Sequence, residues 1–166
     1  MFIQQLKKFF LIVVIIASLL LAYLWYEDYS FNSNPLSKKI QIKVYEKHQK
    51  LKYLAYKHFN IKRVFPIIIT EELDSNRYGM AVYSQNGQIN LYLNKKRFKE
   101  NENYMINDVM PHEYAHAIMF ALQDFTNENK GHSRKWQEIC KKLEGLRCNR
   151  FVNHQDILIE KTNPFK

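Results

Sequence analysis

The sequence predicts an α+β domain preceded by a single transmembrane helix. Three observations support this prediction: an uncharged run of eighteen residues near the N-terminus, a β-hairpin signal in the middle of the chain, and a long apolar segment with helical spacing after the hairpin. About 140 residues remain beyond the apolar run, which is enough for one domain with a core of its own. We therefore expect one folded domain on one membrane segment.

The apolar run at residues 9–26 is the predicted membrane segment. It is rich in Leu, Ile and Val and ends with Tyr23, Trp25 and Tyr26, which suit a membrane interface. A signal peptide is the alternative, but no small-residue cleavage site follows the run. Residues 1–28 are therefore predicted to form a short cytoplasmic stub and an uncleaved membrane anchor.

The charges on either side of this segment predict its orientation. Lys7 and Lys8 precede it, and Glu27 and Asp28 follow it, which favours an N-terminus inside and a domain outside the cytoplasm. Three further lysines lie close enough after the span to oppose that orientation, namely Lys38, Lys39 and Lys43. We expect a single-pass membrane protein whose domain is extracytoplasmic.

Residues 29–35 contain Ser, Asn and Pro and are predicted to be a linker, so that the domain covers residues 36–166. An amphipathic helix is expected to open the domain, because apolar residues recur at helical spacing and lysines occupy the opposite face. The apolar stripe comprises Leu36, Ile40, Val44, Leu51, Leu54, Ala55 and Phe59. His48 and His58 in this helix are ten residues apart and are expected to face solvent or bond locally.

A hairpin is predicted from two strands, residues 78–84 and 88–94, around the turn Asn86-Gly87. Residues 65–70 form a short β-branched run that predicts a further strand. The second hairpin strand alternates apolar and polar residues, so one face should be core and the other polar. Near an active site, such a polar edge could pair with an extended peptide, but the sequence does not show whether the edge is free.

After the hairpin, residues 94–103 are charged and are predicted to be a loop, and a helix kinked at Pro111 is expected from about residue 103. His112 and His116 are four residues apart, which places both imidazoles on one face of this helix and suits binding of one cation. Glu113, next to the first histidine, can face an open coordination position and act as a base towards water there. The spacing therefore predicts two metal ligands and a base.

A catalytic zinc site of this kind needs a third protein ligand and leaves its fourth position to water. Glu128 and Glu138 are available downstream. His132 is the better candidate, because it directly precedes an amphipathic helix for which Ser133 is a suitable N-cap. We expect Zn²⁺ as the cofactor.

The two cysteines of the chain are Cys140 and Cys148. Cys140 shares an apolar helical stripe with Trp136, which predicts a buried thiol. In an oxidising compartment the two cysteines would be able to form a disulfide instead. Both alternatives remain open, and neither spacing nor number predicts a zinc ribbon.

The formal net charge is +9 at pH 7, of which Lys7 and Lys8 supply two charges. Such a balance suits nucleic acid, anionic lipid or an acidic substrate. The lysines are spread over several segments and no nucleic-acid-binding motif accompanies them. Charge alone therefore does not predict a nucleic-acid partner, and a solvated surface facing anionic headgroups is expected.

The stretches VMPHEYAHA at residues 109–117 and GHSRKW at 131–136 resemble the metal-binding core of the SprT-like zinc metallopeptidases, the relatives of Spartan. YGMAVY at residues 78–83 and INLYLN at 89–94 resemble the hairpin that precedes that core in the family. The resemblance covers about residues 66–154. Many members carry a Cys-rich zinc ribbon after the core, which this chain lacks, and soluble members lack the hydrophobic segment found here.

The resemblance implies a small zincin-like metallopeptidase domain in which the hairpin packs on the metal-binding helix. It implies that His112, His116 and His132 are the zinc ligands, that Glu113 is the catalytic acid and base, and that the substrates are proteins or peptides. His154 lies where the family often has a late histidine near the site, which suggests a supporting role. Two alternatives stay open: a cytoplasm-facing protease that acts on nucleic-acid-associated proteins, and a non-catalytic binding module stabilised by zinc.

Overall fold

The computed structural model of this protein describes residues 2–74, 76–124, 126 and 131–149. The chain divides into two compact units, Met1–Leu36 and Ser37–Lys166. The second unit combines helices with a small three-stranded sheet, so the fold is of the mixed α and β kind that the sequence predicts. Glu128 and His154 lie outside the described residues.

The first unit contains one long helix, α1 (Phe2–Ser33), which includes the whole uncharged run of residues 9–26. In the part of the chain that the structure describes, α1 is the one helix that is long and apolar enough to cross a membrane. Residues 29–33, which were predicted to be linker, continue this helix instead. Its end is held by Asn34, whose backbone N–H and side-chain amide both donate to the Ser30 carbonyl, at 3.1 and 2.8 Å. Ser and Asn at a helix end bond locally, and composition alone does not separate this case from a loop.

The second unit opens with α2 (Lys38–Phe59). The Ser37 hydroxyl caps its N-terminus, and Asn60, with a left-handed φ of 54°, ends it. The predicted apolar stripe faces the core, since its buried members include Val44, Leu51, Leu54 and Ala55. His48 differs from the expectation, because it is half-buried and its ring meets the edge of Tyr114 at 6.0 Å.

The sheet consists of β1 (Ile67–Thr70), β2 (Gly79–Tyr83) and β3 (Ile89–Asn94) in the order β1-β3-β2. β2 and β3 form the predicted antiparallel hairpin, and β1 runs parallel to β3. The second hairpin strand has no free edge for a peptide, because β1 pairs with its other side and makes β3 the central strand. On the hairpin side, the edge belongs to β2.

Asn94 organises the region that follows β3. Its side-chain oxygen accepts from the Lys96 N–H and caps α3 (Lys95–Glu100), while its amide donates to carbonyls of the loop before β2, including that of Arg77 at 2.8 Å. Asn101 then caps the single turn α4 (Glu102–Tyr104). The segment predicted to be a loop is therefore helical. Asn94 and Asn101 cap its two short helices, and its charged composition gave no sign of them.

The helix that carries the histidine pair begins with a wide turn. Met105–Val109 is π-helical, and α5 (Met110–Ala121) continues from it. Pro111 lacks an N–H and its ring would crowd the carbonyl four residues earlier, and the wider turn before it removes that conflict. The predicted longer helix from about residue 103 is confirmed, with a π-helical stretch before Pro111. α5 packs against β2, β3 and α2, and it buries Tyr114 completely.

The last described helix is α6 (Arg134–Lys142), capped by the Ser133 hydroxyl as the sequence predicts. A disulfide joins Cys140 in α6 to Cys148 in the following segment, with the Cα atoms 5.8 Å apart. Gly145 lies against this bridge, since a Cβ atom there would be 2.8 Å from the Cys140 Sγ. The chain therefore needs glycine at this position to turn over the disulfide.

Candidate metal centre and active site

Three histidine side chains from two elements meet beside the sheet. His112 and His116 lie one turn apart on α5, and His132 lies in the segment directly before α6. The Nε2 atom of His132 is 2.9 Å from that of His112 and 3.3 Å from that of His116. A tetrahedral zinc with nitrogen ligands at about 2.0–2.1 Å would set nitrogen atoms roughly 3.3 Å apart. The separations therefore fit a cation between the three rings.

The three histidines could hold a metal ion, since one ring nitrogen from each lies within 4.8 Å of the others. Among the described residues, no other group of at least three His, Cys, Asp or Glu side chains meets this condition. Glu113 is not a member of the group, although it is adjacent to His112 in sequence. A donor set of three histidine nitrogens is one of the ligand sets found in catalytic zinc sites.

Trp136 forms the floor beneath the three imidazoles. Its ring centroid is 4.6 Å from that of His112, 5.2 Å from that of His116 and 4.5 Å from that of His132. The indole is completely buried and is placed by the first turn of α6. It restricts the orientation of all three rings. The sequence predicted only that Trp136 belongs to the apolar stripe of α6, and not that it contacts the histidines.

Burial also keeps two of the imidazoles neutral. Burial, reinforced by the neighbouring histidines, lowers the pKa of His112 to about 3 and that of His116 to about 4. A neutral imidazole keeps a lone pair for a metal, whereas a protonated one repels it. The pair is therefore ready to bind a cation at neutral pH.

Glu113 is buried between α5 and β2. Its carboxylate accepts a hydrogen bond from the Ala81 N–H, and burial raises its pKa to about 8 although this bond and Arg77 act in the opposite direction. Gly79 provides the space for the side chain, because a Cβ atom there would be 2.8 Å from the Glu113 Cγ. Strand β2 thus positions the glutamate in two ways: the Ala81 N–H donates to its carboxylate, and Gly79, which has no side chain, leaves room for it.

A cavity of about 760 Å³ joins these groups to solvent. The three histidines and Glu113 line one end of it, and the edge strand β2 contributes Gly79, Met80 and Ala81. This arrangement combines a cation site, a buried carboxylate and an accessible strand edge.

Comparison with known proteins agrees with this arrangement. The model of the SprT-like family matches residues 28–156, which is most of the chain. The chain belongs to the SprT-like family. No solved structure matches it. The match includes the hairpin, the α5 histidines and His132, so the resemblance expected from the sequence is confirmed.

The other end of the cavity in this SprT-like protein is polar and ionic. Asp108, in the π-helical turn, is only 5% exposed, and burial raises the pKa of its carboxyl. The Arg147 Nε lies 3.7 Å from its Oδ1, and the same guanidinium lies over the Tyr104 ring at 5.6 Å. Arg147 is next to Cys148, so the disulfide fixes the backbone segment from which the Arg147 side chain reaches the cavity.

The remaining candidate ligands do not join the site of this family member. Glu138 is exposed on α6 and pairs with Arg134 at 3.5 Å. Glu128 and His154 lie outside the described residues, so their predicted roles stay predictions. The cysteines are not metal ligands, since they are bonded to each other.

Proposed function

We propose that this chain is a membrane-anchored, zinc-dependent metallopeptidase with a zincin-like domain that hydrolyses peptide bonds in proteins. The observation that carries the proposal is the meeting of His112, His116 and His132 next to the buried Glu113, in a cavity edged by β2. Membership of a metalloprotease-like family supports the same reaction class.

His112, His116 and His132 would hold the zinc ion. Three histidine nitrogens suit zinc, and the absence of a fourth protein ligand from the described group is typical of catalytic rather than structural sites. When bound, zinc supplies Lewis acidity, which polarises the scissile carbonyl and makes water more acidic. Trp136 would hold the three rings in the orientation that this requires.

Glu113 would transfer the proton. It accepts a proton from the attacking water, the water oxygen bonds to the scissile carbonyl carbon, and Glu113 then gives the proton to the leaving amine. The Ala81 N–H holds the carboxylate in place for both transfers. Burial raises its affinity for a proton, which makes it a stronger base than an exposed glutamate, and a nearby dication would oppose that rise.

The outer edge of β2 would hold the substrate backbone. In an antiparallel ladder, alternate residues direct their backbone groups towards the partner strand, and the Tyr78 carbonyl accepts from the Asn94 N–H at the start of this ladder. The outward groups therefore belong to Gly79, Ala81 and Tyr83, and because the Ala81 N–H already donates to Glu113, Ala81 offers its carbonyl to the substrate. An extended peptide paired there would run past Glu113 and the histidines, so that main-chain hydrogen bonds supply affinity with little sequence preference.

The domain would lie outside the cytoplasm. Lys7 and Lys8 before the apolar helix favour a cytoplasmic N-terminus. The Cys140–Cys148 disulfide supports the same side, because disulfides persist in oxidising compartments. The substrates would then be proteins at or outside the membrane.

The replacement Glu113→Gln tests the proposal. The amide keeps the size of the side chain but cannot accept the proton, so we expect peptide cleavage by the full chain to fall by about 10²–10⁴-fold while zinc content stays unchanged. Mass spectrometry of bound metal and cleavage of a casein-derived peptide library measure the two properties. Glu138→Gln, which removes an exposed glutamate from α6, is the matched control and should leave both unchanged. Unaltered cleavage by Glu113→Gln would disprove the assigned role.

A further inference from the structure

Helix α2 has a second apolar face, which points away from the core. Ile42, Tyr45, Tyr53 and Tyr56 are 57%, 63%, 60% and 52% exposed. They recur at helical spacing, and Gln49 fills the position between the two pairs. The buried stripe of the same helix consists of other residues, so core packing does not explain this outward face. Tyr, with an apolar ring and a polar tip, is typical of surfaces that contact the boundary between lipid and water.

Positive charges surround this outward face. Lys38, Lys39 and Lys57 are exposed along it, and the Lys57 Nζ lies 5.9 Å from the centre of the Tyr53 ring. Glu46 is the only acidic residue of α2. Two lysines of the same helix are engaged elsewhere, since Lys43 pairs with Glu102 and Lys50 with Glu144. Lys47 is half-buried and lies near Glu144 and Asp108, so the cations on the side of the tyrosines are Lys38, Lys39, Lys52 and Lys57.

A groove of about 480 Å³ lies next to the outward face. The left-handed Asn60 ends α2 and turns the chain back, so that the following residues form the second wall of the groove. Its lining contains three cations and no carboxylate: Gln49, Lys52, Tyr53, Tyr56, Ile61, Lys62 and Arg63. Arg63 is held in place, because its guanidinium donates to the Gly87 carbonyl. The groove therefore has the size and charge to accept a phosphate group.

We propose that the outward face of α2 docks on an anionic phospholipid surface, with the groove beside Lys52, Lys62 and Arg63 taking the phosphate of a lipid headgroup. The tyrosines and Ile42 would enter the headgroup region while the lysines meet its negative charge. Only residues 34–37 separate α2 from the apolar helix α1, and they reach at most about 18 Å. A bilayer crossed by α1 would therefore be close to the start of α2.

A membrane surface fits this face better than a nucleic acid does. Apolar side chains occupy its centre and cations its rim, whereas a nucleic-acid site needs cations that follow the phosphate backbone. This docking does not depend on the proposed peptidase activity, because the face shares no residue with the cavity that contains the histidines.

Photocrosslinking of the full chain in vesicles tests the proposal. Benzoylphenylalanine placed at position 53 would report from the outward face, and the same probe at the exposed position 137 on α6 is the control. Vesicles of phosphatidylcholine are compared with an equal mixture of phosphatidylcholine and phosphatidylglycerol, with single-stranded DNA present. We expect lipid adducts from position 53 in the anionic vesicles, at least about five-fold more than in neutral vesicles or from position 137.

Charge removal gives a second measure. With Lys52→Gln, Lys62→Gln and Arg63→Gln together, the lipid adduct from position 53 should fall by about five-fold for each cation removed until the control level is reached. The control variant, Lys96→Gln with Lys99→Gln and Lys141→Gln, has the same net charge and should keep the adduct. Equal lipid adducts at both probe positions would overturn the proposal. Adducts from position 53 to DNA, or to a second copy of the chain, in place of lipid would also overturn it.

Discussion

The two ends of the cavity differ in whether their polar side chains already have a positively charged partner. At one end, His112, His116 and His132 converge with their ring nitrogens, and the lowered pKa values of His112 and His116 keep these two rings neutral at neutral pH. At the other end, the Asp108 carboxylate already faces a cation, the Arg147 guanidinium. The first end is built to receive a cation and the second already contains one. Changes at the histidine end should therefore affect metal and catalysis, and changes at the other end should affect stability.

The largest effect should come from His132→Ala. If the three histidines hold zinc as proposed, loss of one nitrogen should lower zinc affinity by more than about 100-fold and abolish cleavage with it. Competition with a chelator of known affinity measures the metal, and Glu138→Ala on the neighbouring helix is the control. If zinc binding survived His132→Ala, the third ligand would have to be sought in residues such as Glu128 or His154.

Gly79→Ala should reduce cleavage by on the order of 10²-fold without loss of zinc. The added Cβ would lie 2.8 Å from the Glu113 Cγ, so either the glutamate or β2 must move, and a displacement of about 1 Å is enough for such a loss. The double variant with Glu113→Gln is the sharper measurement. If Gly79 acts by positioning Glu113, the double variant should be no slower than Glu113→Gln alone. A further additive loss would mean that Gly79 serves the substrate instead.

At the ionic end, Cys148→Ser should lower the free energy of unfolding by about 2–3 kcal/mol, since the disulfide closes a loop of eight residues. Zinc content should not change, because the histidines are held by α5 and Trp136. Denaturant unfolding in detergent measures the loss, and reductant added to the wild-type chain should reproduce it. Loss of zinc from the folded Cys148→Ser protein would show that the two ends are not independent.

The smallest effect concerns pH in the metal-free protein. Burial raises the pKa of Glu113 to about 8, so between its ordinary value of 4.5 and 8 the folded chain keeps a proton that the unfolded chain has lost. The free energy of unfolding should therefore fall as pH rises through this range, by at most about 1.4 kcal/mol per pH unit. His112 and His116 have lowered pKa values, and below their ordinary value of 6.5 they make the free energy of unfolding rise with pH instead.

The interval from pH 6.5 to 8 therefore isolates Glu113. Chelator-treated protein should lose roughly 1–2 kcal/mol across it, and Glu113→Gln should remove the slope. Denaturant titrations at both pH values provide the measurement. A slope that persists in Glu113→Gln would assign the proton to another group.

Local sequence patterns predicted the parts of the site that depend on spacing along one element. Two histidines four apart must share a helix face, and Ser133 ahead of an amphipathic run must cap a helix that starts beside His132. The hairpin followed from the Asn86-Gly87 turn in the same way. Each of these predictions rests on backbone geometry within a few residues.

Other features depend on contacts between distant segments, which a pattern cannot show. β2 becomes the edge strand only because β1 pairs with β3 from the other side. Asn94 gathers the loop before β2 by hydrogen bonds to carbonyls about twenty residues away, although in sequence it is one more polar residue at a strand end. Trp136 matched the apolar stripe of α6, and only the packing shows that the three imidazoles rest on it.

The position of Trp136 has a spectroscopic consequence. An indole that touches all three imidazoles lies within a few ångströms of any ion bound between them, so a paramagnetic ion such as Co²⁺ should quench its fluorescence. The chain has one other tryptophan, Trp25, which belongs to α1 and is 72% exposed in the absence of a membrane. With Trp25→Phe as the background, the remaining emission would report metal occupancy directly, without a substrate and without a label.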